Sequence, residues 1–104
     1  MDEILFEVNC FHFNKKIRTT IEYWQRITNE KHPSIKGQEN KIISVIQNPD
    51  EIRQSKKDSD VFLYYRLFDE KYICVISKFL NDEGFIITAY STTKIKEGKI
   101  IWKK

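Results

Sequence analysis

The sequence predicts an α+β domain in which two N-terminal helices pack on one face of a curved antiparallel sheet of about four to five strands. Three observations predict it. Apolar residues recur at helical spacing between Ile17 and Ile46, strand-forming runs follow one another from Glu51 onward, and the links between those runs are short and polar. At 104 residues the chain has room for one such domain, 1–104, with one modest core.

"EILFEVNCFHF" is rich in β-branched and aromatic residues, so a first strand is expected near residues 3–12, with an extension toward Ile17 beyond a turn at Asn14. The period then changes. In "TTIEYWQRITNE", Thr19 followed three residues later by Glu22 has capping-box spacing, and Ile17, Ile21, Trp24 and Ile27 step around one helical face. This predicts a helix of about three turns that stops before Pro33, because the residue preceding a proline disfavours helical geometry. A second helix is expected in "HPSIKGQENKIISVIQNPD", starting at Pro33 or, given Gly37, only at Gln38. Ile42, Ile43, Val45 and Ile46 supply its apolar face, and Asn48-Pro49-Asp50 ends it. "EIRQSKK", "VFLYYRLF", "KYICVISKFL" and "GFIITAYST" read as four strands of a meander. The second and third lack clean alternation, so the sheet face away from the helices needs its own cover: a C-terminal segment folded back around Ile100, Ile101 and Trp102, or a concave binding surface lined by tyrosines.

Composition narrows the class of function. With 40% hydrophobic and 32% charged residues, the chain reads as globular, without low-complexity bias. No apolar stretch approaches a membrane span, and "MDEILF" lacks the basic start and apolar region of a signal peptide, so the expected compartment is cytoplasmic. Cys10 and Cys74 are far apart and read as buried thiols. Residues 1–52 carry 7 basic and 8 acidic side chains and residues 53–104 carry 11 and 7, so the second half is +4 and the first −1. That asymmetry suits a polyanionic partner and equally an ordinary lysine-bearing surface.

Several residues are candidates for chemistry. His32 would sit at the N-terminus of the second helix if that helix begins at Pro33, where unpaired N–H groups favour a phosphate. Otherwise it is a turn residue before proline. Arg53 and Ser55, two apart on a strand, share a face that could grip a phosphate, or they simply decorate a solvated edge. Lys78 lies inside an apolar strand and must reach a sheet edge or a polar site. Arg66 poses the same question nearer a turn, and Tyr64 and Tyr65 supply opposite faces. In "EGFIITAYSTTKIKEG", Phe85 to Ile87 read as core, Thr88 and Tyr90 share a face, and Lys94, Lys96 and Lys99 follow within a dozen residues. Other chemistries are set aside. There is no glycine-rich phosphate loop, the spacing of Cys10, His12, His32 and Cys74 matches no compact zinc motif, and no carboxylate cluster suggests magnesium, so neither a metal nor another cofactor is expected.

The order "KHPSI", "ISVIQNPDEI", "RQS", "VFLYYR", "CVISK" and "FIITAYSTTKIKEGKIIW", running roughly from Tyr23 to Trp102, resembles the small phage- and toxin-associated nucleases of the barnase/EndoU/colicin-tRNase/RelE-like fold. The resemblance implies RNA, single-stranded or transfer RNA, held against the open face of the sheet. It also implies metal-independent attack of a ribose 2′-OH on the adjacent phosphate. Under it, His32, Arg53, Lys78 and Tyr90 would be catalytic: His32 as acid or base, Lys78 and Arg53 stabilising charge on phosphorus. Ser55 and Thr88 would orient the phosphate with Tyr90, Tyr65 and Arg66 match a more variable aromatic-basic pair, and a tyrosine near Tyr65 would stack an unpaired base. Lys94 and Lys96 would track the RNA backbone, and a cognate antitoxin would be a protein partner. The competing expectation is a catalytically silent module that binds RNA or a protein through the same face.

Overall fold

The computed structural model describes residues 3–10 and 12–104. In chain order the elements are β1 (Ile4–Cys10), β2 (Lys15–Thr20), α1 (Ile21–Arg26), a π turn (Ile27–Lys31), a 3-10 turn (Pro33–Ile35), α2 (Glu39–Gln47), β3 (Glu51–Gln54), β4 (Val61–Phe68), β5 (Lys71–Leu80), β6 (Glu83–Thr92) and β7 (Lys99–Lys103). The strands form one sheet in the order β1-β2-β6-β5-β4-β3-β7. Among the described residues the sheet therefore has seven strands, not four to five. It is also mixed, because β2 runs parallel to β6 while the other neighbouring pairs are antiparallel. The helices are not N-terminal either: the β1–β2 hairpin precedes them.

Local chemistry explains these departures. Asn14, at φ 53°, turns the chain between β1 and β2, a left-handed geometry that asparagine tolerates. Val8, Cys10 and Ile17 face the core while Glu7, Asn9 and Lys16 face solvent, the period-2 pattern of a half-buried pair. Ile17 is thus a strand residue and not the start of a helical face. Thr19 is still in the ladder, opposite Phe6 and buried, so the helix cap falls one residue later: Thr20 is extended, and its hydroxyl accepts from the Tyr23 amide at 3.1 Å. The expected three-turn helix becomes six α residues and a wider π turn, closed by the His32 amide donating to the Ile27 carbonyl at 2.7 Å. Pro33 forces the exit, and His32 takes φ −139°, ψ 76°.

α2 buries Ile42, Val45 and Ile46 against β1, β4 and β5; full burial of such side chains stabilises by roughly 1.5–3 kcal/mol each. Trp24 Nε1 donates to Glu39 Oε1 at 2.9 Å and ties α1 to the start of α2. The meander from β3 to β6 turns through Asp69 and Asn81, at φ 58° and 60°. Gly84 answers to packing: a Cβ there would lie 2.8 Å from Phe79 Cε1 and 2.9 Å from both Ile17 Cγ1 and the Lys16 carbonyl oxygen. Only glycine lets β2 come this close to β6.

The second face has a different cover. β6 and β7 are separated in the sheet by β5, β4 and β3, a distance of about 19 Å at roughly 4.8 Å per strand step. Residues 93–98 must therefore cross that face nearly extended. Ile95 from this strap packs on a small cluster of Leu63, Tyr65 and Cys74, with Tyr72, Ile76 and Tyr90 beside it. The C-terminal residues themselves do not fold back over this face; β7 extends the sheet beside β3, and Ile101 and Trp102 pack against the main core. No helix among the described residues is long and apolar enough to cross a membrane.

Candidate active site

Strand register builds one row across the strap-covered face. Glu51 of β3 lies opposite Tyr65 of β4, Tyr65 opposite Cys74 of β5, and Cys74 opposite Tyr90 of β6. Directly opposed residues in a ladder are the ones whose side chains meet. Beyond Tyr90 stands His32, its ring 5.6 Å from the tyrosine ring and tilted by 37°. The histidine arrives there because the chain leaves β2 at Thr20, runs through α1 and the π turn, and brings the following 3-10 turn against β6. His32 precedes that 3-10 turn and not an α-helix, so the helix-terminus environment expected from the sequence is replaced by an aromatic neighbour.

The row is uncharged at its centre. Burial raises the phenols of Tyr65 and Tyr90 well above the ordinary tyrosine range, with the neighbouring Cys74 adding to both. Burial likewise pushes the Cys74 thiol up to about 12, although hydrogen bonds from Tyr90 and Tyr65 act the other way. The Glu97 carboxylate on the strap further raises Cys74 and Tyr90. At neutral pH these groups hold their protons.

The two expected phosphate-binding cations are engaged elsewhere. Arg53 Nε donates to Glu51 Oε2 at 2.5 Å, and Arg53 Nη1 to the Glu97 and Gly98 carbonyls, both at 3.4 Å. Arg53 thus pins the strap. Gly98, at φ 83°, has no room for a Cβ, which would lie 2.8 Å from the Gln54 carbonyl oxygen. Lys78 shares the face but stands four residues along β5 from Cys74, about 13 Å at roughly 3.3 Å per residue. Its ammonium donates to Asp58 Oδ2 at 2.9 Å, a bond that lowers the Asp58 pKa and raises that of Lys78. Around it runs a groove lined by Arg18, Tyr23, Phe85 and Ile87, with Arg18 over the Phe85 ring.

The remaining candidates divide. Thr88 lies on the same face as Tyr90, opposite Ile76, and its buried Oγ1 has no hydrogen-bond partner among the described residues. Ser55 falls outside β3, which ends at Gln54; its hydroxyl accepts from the Lys57 amide and shapes the turn instead of extending a face with Arg53. Arg66 points the other way, donating to the Ser44 and Asn48 carbonyls at the end of α2. Tyr65, at 1% exposure, is too buried to stack a base, and Tyr64 is buried on the helix side, where its hydroxyl accepts from Ser77. Lys94 and Lys96 stand exposed on the strap. Cys10 and Cys74 fall in separate core clusters, and no described group of three or more His, Cys, Asp or Glu side chains is placed to hold a metal ion.

No family profile, curated protein or solved structure matches the chain. The site therefore rests on its own chemistry. Two of its participants, Glu51 and Glu97, went unmarked in the sequence. The i, i+2 spacing of Glu51 and Arg53 was a usable signal on a strand, whereas Glu97 reaches the row only because the strap crosses the sheet.

Proposed function

We propose that the chain is an endoribonuclease of the barnase/EndoU/colicin-tRNase/RelE-like kind, cleaving RNA through attack of a ribose 2′-OH on the adjacent phosphate. The observation that carries this reading is the juxtaposition of His32 and Tyr90 at the end of the row, an imidazole beside a phenol that keeps its proton. Such a pair suits two-sided proton transfer. His32 removes the 2′-OH proton; the 2′-oxygen attacks phosphorus; the bond to the 5′-oxygen breaks, and Tyr90 supplies the proton that this oxygen takes. The products are a 2′,3′-cyclic phosphate and a free 5′-OH. Lys94, Lys96 and Lys99, exposed on and after the strap, supply the electrostatic approach for a single strand. A cytoplasmic setting and a cognate antitoxin belong to the same reading; toxicity on expression, relieved by a neighbouring small gene, tests the latter.

A second reading draws on a specific observation. Arg53 and Lys78, the cations expected to stabilise charge on phosphorus, are each paired with a carboxylate, which suits a module that binds RNA without cutting it. Incubating the purified chain with total RNA in EDTA separates the two: discrete products that vanish with His32→Ala support the nuclease, and binding without products supports the module.

A further inference from the structure

Burial takes Tyr64 and Tyr65 away from any unpaired base, but the sheet offers another place for one. Arg18 of β2 lies opposite Phe85 of β6, and Phe85 opposite Lys78 of β5, so these three form a second row on the face that carries Cys74 and Tyr90. One wall joins the two rows. Tyr23 of α1 donates its hydroxyl to the Ile87 carbonyl at 2.8 Å, and the chain that follows sets His32 against Tyr90. Ile87 and Tyr90 are three residues apart on β6, about 10 Å at roughly 3.3 Å per residue. The groove along the second row encloses about 540 Å³, and two residues that line it, Ile4 and Leu80, leave apolar surface in water at 52% and 53% exposure.

The charges at this groove are already matched. Lys78 is paired with Asp58, and Arg18 Nη2 with Glu83 Oε2 at 3.2 Å, so the groove suits a flat uncharged group better than a free anion. Arg18 also stands over the Phe85 ring, its guanidinium carbon 4.8 Å from the ring centroid. The ring and the carboxylate hold the guanidinium in place, while the side chain stays 31% exposed in the groove it lines. Unpaired RNA bases stack on guanidinium planes of this kind as they do on aromatic rings.

We infer that the groove is a base subsite: an unpaired nucleobase of single-stranded RNA, from a nucleotide neighbouring the one at the His32–Tyr90 pair, stacks on the Arg18 guanidinium, which Phe85 backs and Glu83 holds. The assignment rests on the RNA reading for its ligand, but it does not require that the chain cut what it binds. Stacking of this kind tolerates any base, because every base has a π face.

Four binding measurements test it, pairing wild type and Arg18→Lys with a short 2′-O-methyl RNA, which lacks the attacking hydroxyl, and with the same backbone stripped of its bases. Arg18→Lys keeps the charge and loses the plane. It should weaken binding of the RNA by about tenfold, with an unchanged salt slope, and leave binding of the baseless strand as it is in wild type. In wild-type protein the Arg18 Hε resonance should move upfield with the RNA and stay in place with the baseless strand, a result that needs no variant to fold. Unchanged RNA affinity in Arg18→Lys, equal losses on both strands, or an Arg18 resonance indifferent to the bases overturns the subsite, even if the chain cuts an all-ribose strand. The expected coupling in a chain that cuts no ribose strand supports the subsite and overturns the cleavage reading alone. A chain that binds no single strand overturns the subsite and leaves the groove to an apolar side chain of a protein partner.

Discussion

The two ends of the β5–β6 ribbon carry polar groups on one face, and they use them in opposite ways. At the Lys78 end the charges are closed on themselves, Lys78 on Asp58 and Arg18 on Glu83, beside a groove floored by Phe85 and Ile87. At the Tyr90 end the groups are uncharged hydroxyls, a thiol and an imidazole, gathered by register and by the turn that delivers His32. Ion pairs near the surface hold geometry but leave little charge for a ligand, whereas protonated phenols beside an imidazole leave protons to move. The contrast places the proposed chemistry at the Tyr90 end and gives the Lys78 end a supporting part.

The largest effect that could break this contrast is expected from His32→Ala, which should reduce RNA cleavage by on the order of 10²–10⁴-fold in single-turnover assays. Unchanged cleavage would remove the Tyr90 end from the mechanism. Tyr90→Phe should fall toward the lower end of the same range, about 10²-fold, because the ring and its packing remain. Gly84→Val asks whether the two ends depend on a common scaffold. Its side chain would collide with Phe79, Ile17 and the Lys16 carbonyl, and overpacking of this kind costs about 1–3 kcal/mol in urea unfolding. A midpoint equal to wild type would mean that β2 can move away from β6 freely.

Smaller effects sharpen the contrast. Lys78→Gln should slow cleavage by less than about tenfold, since its charge is already taken up by Asp58. A loss matching that of His32→Ala would return the lysine to the reaction centre. Neutralising Lys94 or Lys96 should lower the salt slope of single-strand binding by about 0.7 each, and an unchanged slope would make them plain solvated surface. The smallest effect concerns pH. The folded chain holds the Asp58 pKa below 3.8, so the stability this pair contributes is full above that value and is lost as pH falls through the lower, folded value. Lys78 is raised above 10.5, so its contribution is full below 10.5 and is lost as pH rises through the higher, folded value. Thermal melts of wild type and Asp58→Asn should converge at both extremes; a constant difference across pH would show that the pair does not titrate with folding.

Much of the meander was legible because its signals are local: β-rich runs and two tight turns at Asp69 and Asn81 lie within a few residues of what they determine. The seven-stranded order was not. The parallel contact of β2 with β6 and the return of β7 to β3 are pairings between distant segments, which no local pattern encodes. The same division holds at the site. The shared face of Thr88 and Tyr90 followed from strand period, and the closeness of His32 to Tyr90 was anticipated only through a resemblance. Arg66 was misplaced because parity says which side chains share a face but not which face the helices cover. Tyr65 was expected among the substrate-binding residues, and its burial was not legible because the strap that covers its cluster is fixed by the position of β7, more than thirty residues away.

The most direct measurement is end-group analysis of a single-stranded RNA oligonucleotide cut by the wild-type chain in EDTA, repeated with a 2′-deoxy sugar at the mapped cleavage position. The account predicts a 2′,3′-cyclic phosphate and a 5′-OH with the all-ribose strand, and no cut at the deoxy position. Cleavage that persists at the deoxy position, or stable binding without any product, would contradict it.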